Sequence, residues 1–390
     1  MEGIMVVTPR VATHFRVIHP YRNGIQPDLI IEPPTEKITW FKLRQFTDVP
    51  SIGKSLFNGS QAEKNKLFRQ FQNYILAGQA NWEAGAKTNG AAASLLYYYG
   101  ALNLAKGELL RTNPAAILSG PIHHGLTYKP TKSSKNSNIK SDSLEVRKGI
   151  FPLLYEKRTG VKLPPGTKIP IRNLLSLIPE IGLEVDEFGR TRPYTALGQH
   201  TIANDLVSAW SLIATHAGSL DDQREELTKR VSKNYDLVDL ANWSNWREFF
   251  AFSVRLPLGA IQVYQSKESY SFTREGTSLP NVSNAAKLLQ NTLGPHLGDP
   301  INYAAEFITT HSLMKSKPLV IPVDLARYAA MFYLSSLVRY NPASLDAKFE
   351  SKQAWLMNSL AQEVPLNLLI GALIGIRGGP VYFEANGYRV

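Results

Sequence analysis

The chain has 390 residues, of which 44% are hydrophobic and 19% charged, a composition that predicts a folded protein with a sizeable core. At roughly 100–200 residues per domain, this length predicts two or three structural units. The sequence has no cysteine, which excludes disulfides, thiolate metal sites and cysteine nucleophiles. Its net charge of +11 favours association with an anionic partner, such as nucleic acid or an acidic protein.

The N-terminal residues lack a cationic segment followed by a long apolar run, so the sequence predicts no signal peptide. The two most apolar stretches, 325–338 and 364–376, are shorter than the roughly 18–20 residues of a membrane span. We interpret both as buried helices. Together with the lack of cysteine, this predicts a cytoplasmic protein with no membrane partner.

The first 45 residues mix short apolar runs with prolines and predict short strands and loops. From Gln61, apolar residues recur at spacings of three and four, which predicts an amphipathic helix to about Ala86. A second helix, apolar on most faces, is predicted from Ala91 to about Leu110.

Residues 126–128 and 144–146 alternate like the arms of a β-hairpin, and the segment between them is rich in lysine, serine and asparagine. We predict a flexible basic tip. It is either a solvated loop or a nucleic-acid contact, and the candidate contacts are Lys129, Lys132, Lys135, Lys140, Arg147 and Lys148.

The middle of the chain predicts a helix over 170–181 and a charged helix over 221–230. The segments 249–256, 261–265 and 270–273 are rich in aromatic and β-branched residues, which predicts a small antiparallel sheet.

The C-terminal part predicts a helix from Pro322 to Arg339, which Asn341-Pro342 ends. Further helices are predicted over 355–360 and 366–374.

These elements predict an α+β fold that is predominantly α-helical, with a small antiparallel β region in the middle and short strands near the N-terminus. The expected organisation is strands and loops over 1–45, a helical unit with the basic hairpin over 46–185, a mixed region over 186–280, and a C-terminal helical unit over 281–390 that packs on the first.

No recognised catalytic motif is present. Gly53-Lys54-Ser55 resembles the end of a phosphate-binding loop, but Asp48 stands where that loop needs its first glycine. The eight histidines do not pair at helical metal-ligand spacing. The sequence therefore predicts no metal site and no cofactor, and leaves open whether the protein is an enzyme.

Several segments resemble a known family. They are Tyr98-Tyr99-Gly100-Ala101-Leu102-Asn103-Leu104-Ala105-Lys106, then His124-Gly125, then the blocks 149–155 and 174–181, and late in the chain the block 333–342, which ends Arg339-Tyr340-Asn341-Pro342. Their order and spacing resemble the YaaC-like family of bacterial proteins, over roughly residues 60 to 375. The resemblance implies a bacterial, cytosolic, helix-rich protein and supplies no reaction.

One polar cluster is a candidate site. Asn103 and Lys106 lie on one face of an otherwise apolar helix, where burial costs several kcal/mol without partners. In a structural interpretation, Asn103 bonds the following loop and Lys106 reaches the surface. In a functional one, they line a pocket for an anion or nucleotide together with His123, His124 and Arg339.

Three functions follow as hypotheses. The first is a non-catalytic binding protein that contacts RNA or DNA, or acts as a subunit of a larger bacterial complex such as a phage-defence complex. The second is a nuclease or nucleotide-acting hydrolase with an unrecognised active site. The third is an interaction scaffold for an acidic protein partner.

Overall fold

In this computed structural model, the structure describes residues 6–7, 28–30, 35–88, 90–120, 122–130, 139, 141–181, 185, 195–204, 208–216, 231–243, 261–271, 288, 306–309, 321–349, 353–378 and 381–383. The chain divides into two compact units. We call residues 1–31, 193–312 and 379–390 the β unit, and residues 32–192 and 313–378 the helical unit.

In the described part of the chain the helices are, in order, α1 (Glu36–Asp48), α2 (Pro50–Ser55), α3 (Gln61–Ala86), α4 (Ala91–Thr112), α5 (Pro114–Leu118), α6 (Ile150–Thr159), α7 (Ile171–Leu175), α8 (Val323–Tyr340), α9 (Pro342–Phe349) and α10 (Ala354–Arg377). The strands are β1 (Val6–Val7), β2 (Asp28–Ile30), β3 (His124–Lys129), β4 (Ser143–Gly149), β5 (Lys168–Pro170), β6 (Thr195–Asn204), β7 (Ser208–His216), β8 (Tyr235–Val238), β9 (Ile261–Ser266), β10 (Tyr270–Ser271), β11 (Glu306–Thr309) and β12 (Val381–Phe383).

Helix α4 is the centre of the helical unit, where it packs against α3, α8 and α10. It is apolar on most faces because it is surrounded, as the sequence predicted. Gly78 of α3 lies against the carbonyl of Gly100 and the side chain of Leu104, both in α4. The missing Cβ atoms let the two backbones approach closely, which places α4 deep in the core.

The start of α3 is fixed by a capping box. The side chain of Ser60 accepts a hydrogen bond from the backbone N–H of Glu63, and the Glu63 carboxylate accepts one from the backbone N–H of Ser60 at 2.8 Å. These contacts satisfy backbone donors that a helix start leaves free. The predicted helix over 61–86 is confirmed.

The prediction of strands and loops over 1–45 is wrong at its C-terminal end, where α1 begins at Glu36. The side chain of Thr35 caps this helix by accepting from the backbone N–H of Ile38 at 3.2 Å. The predicted helix over 170–181 is also shorter than expected. It ends at Leu175, and a 3-10 turn follows at Pro179–Ile181.

The two helices predicted over 355–360 and 366–374 form one helix, α10, with Pro365 inside it. Dense packing compensates for the hydrogen bond that a proline removes, since Val364, Pro365 and Leu368 are all buried. By length and apolarity alone, α10 could cross a membrane. Most of it is buried within the helical unit, as in the core helix of a folded domain, so its composition does not itself indicate a membrane.

The helical unit also contains a small antiparallel sheet, β3-β4-β5. Leu126 pairs with Val146 and Tyr128 with Leu144, which confirms the predicted hairpin arms.

The β unit contains a seven-stranded sheet of order β1-β8-β9-β7-β6-β11, with β10 paired to β7. Strands β6 to β9 are antiparallel neighbours, while β1 joins β8 in parallel and β2 pairs in parallel with β12 in a separate sheet. The sheet packs around Ile213, Val231, Tyr235 and Tyr264.

The predominantly helical α+β fold with an antiparallel middle region is confirmed. Strand β9 matches the prediction over 261–265, and the helix predicted over 221–230 and the strand over 249–256 lie outside the described residues.

Candidate functional site

The side chain of His124 is held by aromatic residues of the core. The hydroxyl of Tyr98, a fully buried residue of α4, lies 2.7 Å from Nδ1 of His124 at the start of β3. The hydroxyl of Tyr98 also lies 3.5 Å from the hydroxyl of Tyr328 in α8. Phe332, one turn later in α8, has its ring centroid 5.8 Å from that of His124. The imidazole is therefore fixed between α4 and α8.

Two glycines position the backbone beside His124. Gly125 and Gly149 have φ angles of +83° and +149°; Gly149 pairs with His124, and Gly125 lies at an irregularity of the β3–β4 pairing. A Cβ atom on Gly149 would collide with the carbonyl of His123 and the backbone of Gly125. That carbonyl accepts a hydrogen bond from the backbone N–H of Ile150 at 3.0 Å. Only glycine at these positions allows the close approach that places both histidines.

Arg339, at the end of α8, is held by hydrogen bonds and by aromatic rings. Its Nε donates to the carbonyl of Ser335 at 3.2 Å, and its Nη1 donates to the hydroxyl of Tyr99 at 3.1 Å. The guanidinium carbon lies 5.5 Å from the ring centroid of Tyr99 and 4.8 Å from that of Tyr340. Both distances are within the range of cation–π attraction. The charge is thus fixed in place before any ligand binds.

Asn103 and Lys106 continue the same face of α4, four and seven residues after Tyr99. The Asn103 Nδ2 donates to the carbonyl of Tyr99 at 3.0 Å, so its amide bonds its own helix rather than the following loop. Lys106 is partly buried with its Nζ 5.8 Å from the ring centroid of Tyr74. Burial lowers the pKa of Lys106.

The charges of these residues act on His124. Burial lowers the pKa of His124 to about 4, and the positive charges of Arg339, Lys106 and then His123 push it in the same direction. The ring is therefore neutral at pH 7. Burial also raises the pKa of Tyr98 well above its usual range, so its hydroxyl keeps its proton and shares a hydrogen bond with Nδ1 of the neutral imidazole.

The structure thus brings together four of the five residues of the candidate pocket, Asn103, Lys106, His124 and Arg339, and places the exposed His123 beside them. We call these five residues with Tyr99 the cationic cluster. No carboxylate within the described residues forms an ion pair with Lys106 or Arg339.

Several other buried or partly buried cations of the helical unit are paired with carboxylates, while Arg111 donates to the carbonyls of Ile376 and Arg377. Lys157 and Arg158 each lie 2.9 Å from Glu108, Arg327 lies 2.7 Å from Glu180, and Lys348 lies 3.4 Å from Asp142. These pairs join α4 to α6, the 3-10 turn to α8, and the residue before β4 to α9. The cationic cluster departs from this pattern, since its positive charges have aromatic rings and hydroxyls as neighbours.

The model of the family described as YaaC-like protein matches residues 53–370. The chain belongs to the YaaC-like family. The matched range contains the entire cationic cluster and the β3–β4 hairpin, and it confirms the resemblance inferred from the sequence blocks. No curated protein and no solved structure matches the chain. The function of this YaaC-like protein has therefore to be argued from its own residues.

The basic hairpin is only partly described. Lys129 and Arg147 flank Glu145 on the hairpin, with contacts of 3.7 Å and 2.7 Å to its carboxylate. Lys148 is exposed. The candidate contacts Lys132, Lys135 and Lys140 lie outside the described residues.

The phosphate-loop resemblance at Gly53-Lys54-Ser55 is explained by packing. These residues are the last three of α2, and a Cβ atom on Gly53 would collide with the carbonyl of Phe46 and the ring of Phe68. The glycine serves the contact between α2 and its neighbours, which excludes a phosphate-binding loop at this point.

Sequence reasoning missed Tyr340 as a site residue. Its side chain is 72% exposed beside Arg339. The available signal was an aromatic residue at a predicted helix end, directly after the candidate arginine.

Proposed function

We propose that this YaaC-like protein is a non-catalytic cytoplasmic binding protein whose cationic cluster binds phosphate groups of a nucleic acid. The observation that carries the proposal is the absence of a carboxylate partner for Lys106 and Arg339 among the described residues. Fixed positive charges without internal counterions favour an anionic ligand. The excess of 43 basic over 32 acidic side chains acts in the same direction.

The hydrogen-bonding groups of the cluster suit a phosphate. A phosphate oxygen accepts hydrogen bonds from guanidinium, ammonium and imidazole N–H groups. Arg339, Lys106 and the imidazole of His124 are groups of these three kinds, and Arg339 is already oriented by Tyr99 and Ser335. Such preorganisation reduces the entropy lost on binding.

The electrostatics of His124 favour binding over acid–base catalysis. A general acid or base works best when its pKa lies near the operating pH. The pKa of His124 is lowered to about 4, so in the free protein this residue is a poor proton donor at pH 7. A neutral imidazole held by Tyr98 can still form a hydrogen bond with a ligand without transferring a proton.

A salt titration tests the proposal. Fluorescence anisotropy with a labelled RNA or DNA strand is expected to show affinity that falls steeply between low and moderate salt, because binding releases counterions. Arg339→Gln and Lys106→Gln are expected to weaken binding at low salt and each to reduce the dependence on salt concentration by roughly one ion.

Arg44→Gln is the matched control. It removes the same charge from the helical unit, but Arg44 is paired with Asp48 in α1 at 3.1 Å. Its affinity and salt dependence should stay close to those of the wild type. A lack of affinity for RNA and DNA at low salt would refute the proposal. Co-purification with a stoichiometric acidic protein would then favour the interaction scaffold.

A further inference from the structure

Tyr340 is the most exposed of the large hydrophobic side chains in the described part of the chain, with 72% of its surface open to solvent. It lies at the last position of α8, and Asn341-Pro342 turns the chain away directly after it. Single exposed rings are common at protein surfaces, and Tyr340 is distinguished by its position beside the oriented charge of Arg339.

The Tyr340 ring and the Arg339 guanidinium are in contact. The guanidinium carbon lies 4.8 Å from the Tyr340 centroid, and Nη1 donates to the hydroxyl of Tyr99. Arg339 therefore contacts two tyrosines, one partly buried and one exposed. Because one partner is fixed in the helical unit, the exposed ring lies at a defined place beside the cationic cluster.

An exposed aromatic ring next to fixed cations is the combination that binds single-stranded nucleic acids, in which cations contact the backbone and aromatic rings stack on unpaired bases. In a duplex the faces of the bases are covered by their neighbours, so a ring of this kind gains little from contact.

We infer that this protein binds single-stranded nucleic acid in preference to duplex, with an unpaired base stacked on Tyr340 and an adjacent phosphate at Arg339 and Lys106. This inference rests on the proposed function and adds to it the structural class of the ligand.

The test compares three probes of matched length by fluorescence anisotropy at low salt. They are an oligothymidine strand, the same strand with abasic sugars in place of the nucleotides, and a blunt duplex. We expect the oligothymidine strand to bind about tenfold more tightly than the abasic strand, which is within the range that stacking of one base contributes. The duplex should bind more weakly than the oligothymidine strand.

Variants of Tyr340 assign the preference to its ring. Tyr340→Ala should weaken binding of oligothymidine about tenfold and leave binding of the abasic strand nearly unchanged. Tyr340→Phe, which keeps the ring, should retain the wild-type affinity. Phe41→Ala is the control, because Phe41 is another exposed ring of the helical unit, 60% exposed on α1. Thermal unfolding of each variant checks that it is folded.

The outcomes separate the inference from the proposed function. Equal affinity for oligothymidine and abasic strands, or for strand and duplex, would overturn the inference while leaving phosphate binding intact. An equal loss for both strands in Tyr340→Ala would mean that the ring acts through Arg339 and not by stacking, which also overturns the inference. If no probe binds at low salt, the proposed function fails and the inference fails with it.

Discussion

The hydroxyl of Tyr98 lies 2.7 Å from Nδ1 of His124, and this hydrogen bond links the central helix of the helical unit to the first residue of its small sheet. Tyr98 is fully buried. The bond fixes the orientation of the imidazole.

Removing this hydrogen bond is expected to destabilise the protein. Tyr98→Phe keeps the buried ring and deletes only the hydroxyl, which leaves the partly buried Nδ1 of His124 without its hydrogen-bond partner. The expected loss is about 1–2 kcal/mol of unfolding free energy, measured by urea denaturation. Tyr97→Phe is the control, because its hydroxyl makes no hydrogen bond within the described residues. An equal loss in both variants would argue against a specific role for the bond.

The lowered pKa of His124 predicts a dependence of stability on pH. An unfolded histidine titrates near pH 6.5, whereas the folded protein holds this one neutral down to about pH 4. Between these values the unfolded state binds more protons, so stability should fall as the pH falls through this window and level off below it. The ring is only partly buried, so we expect a loss of about 2 kcal/mol, less than the full shift implies.

His124→Gln isolates this contribution, because glutamine can accept from Tyr98 and does not titrate. Carboxylates elsewhere affect both proteins alike, so the quantity to compare is the difference in unfolding free energy between wild type and variant from pH 7 to pH 4. As the pH falls from 7 to 4, the wild type should lose more unfolding free energy than the variant. Parallel curves would show that His124 titrates normally in the folded protein.

The helices were predictable because their apolar residues follow helical spacing and their ends carry strong signals, such as Ser60 before α3 and Asn341-Pro342 after α8. The β6–β7 hairpin was not predicted although its strands are neighbours in sequence, since Gly198, Ala203 and Asn204 of β6 are residue types that are uncommon in strands. Two helices were predicted where α10 is continuous, because the packing that keeps Pro365 inside the helix depends on residues distant in sequence.

The candidate site was likewise predictable from the sequence only in part. That Asn103 and Lys106 share a helix face follows from their spacing. Their relation to Arg339 depends on the packing of α8 against α4, which brings together residues more than 200 positions apart. Tyr340 is exposed at the end of α8, and its place directly after Arg339 at a predicted helix end was the only local signal for it.

The buried carboxylate Glu108 is expected to be essential for stability. Its side chain is 3% exposed and lies 2.9 Å from both Lys157 and Arg158. Glu108→Ala would leave two cations partly buried without their main counterion, which should cost about 3–5 kcal/mol of unfolding free energy. Lys157→Met removes one cation and leaves Glu108 paired with Arg158, so its loss should be clearly smaller. Similar losses in both variants would mean that packing, not charge, determines the stability of this region.

The close contact between α3 and α4 predicts a graded response to added methyl groups. A Cβ atom on Gly100 would lie 2.8 Å from a ring carbon of Trp82 and 3.1 Å from the carbonyl of Gly78, so the helices would have to separate. Gly100→Ala should therefore lower the unfolding free energy by about 1–3 kcal/mol despite the better helix propensity of alanine. On Gly107, the nearest atom would be the terminal methyl of Ile75 at 3.3 Å, which can move aside. Gly107→Ala should be close to neutral in the same urea denaturation. A loss for Gly107→Ala as large as that for Gly100→Ala would show that the backbones do not approach most closely at Gly100.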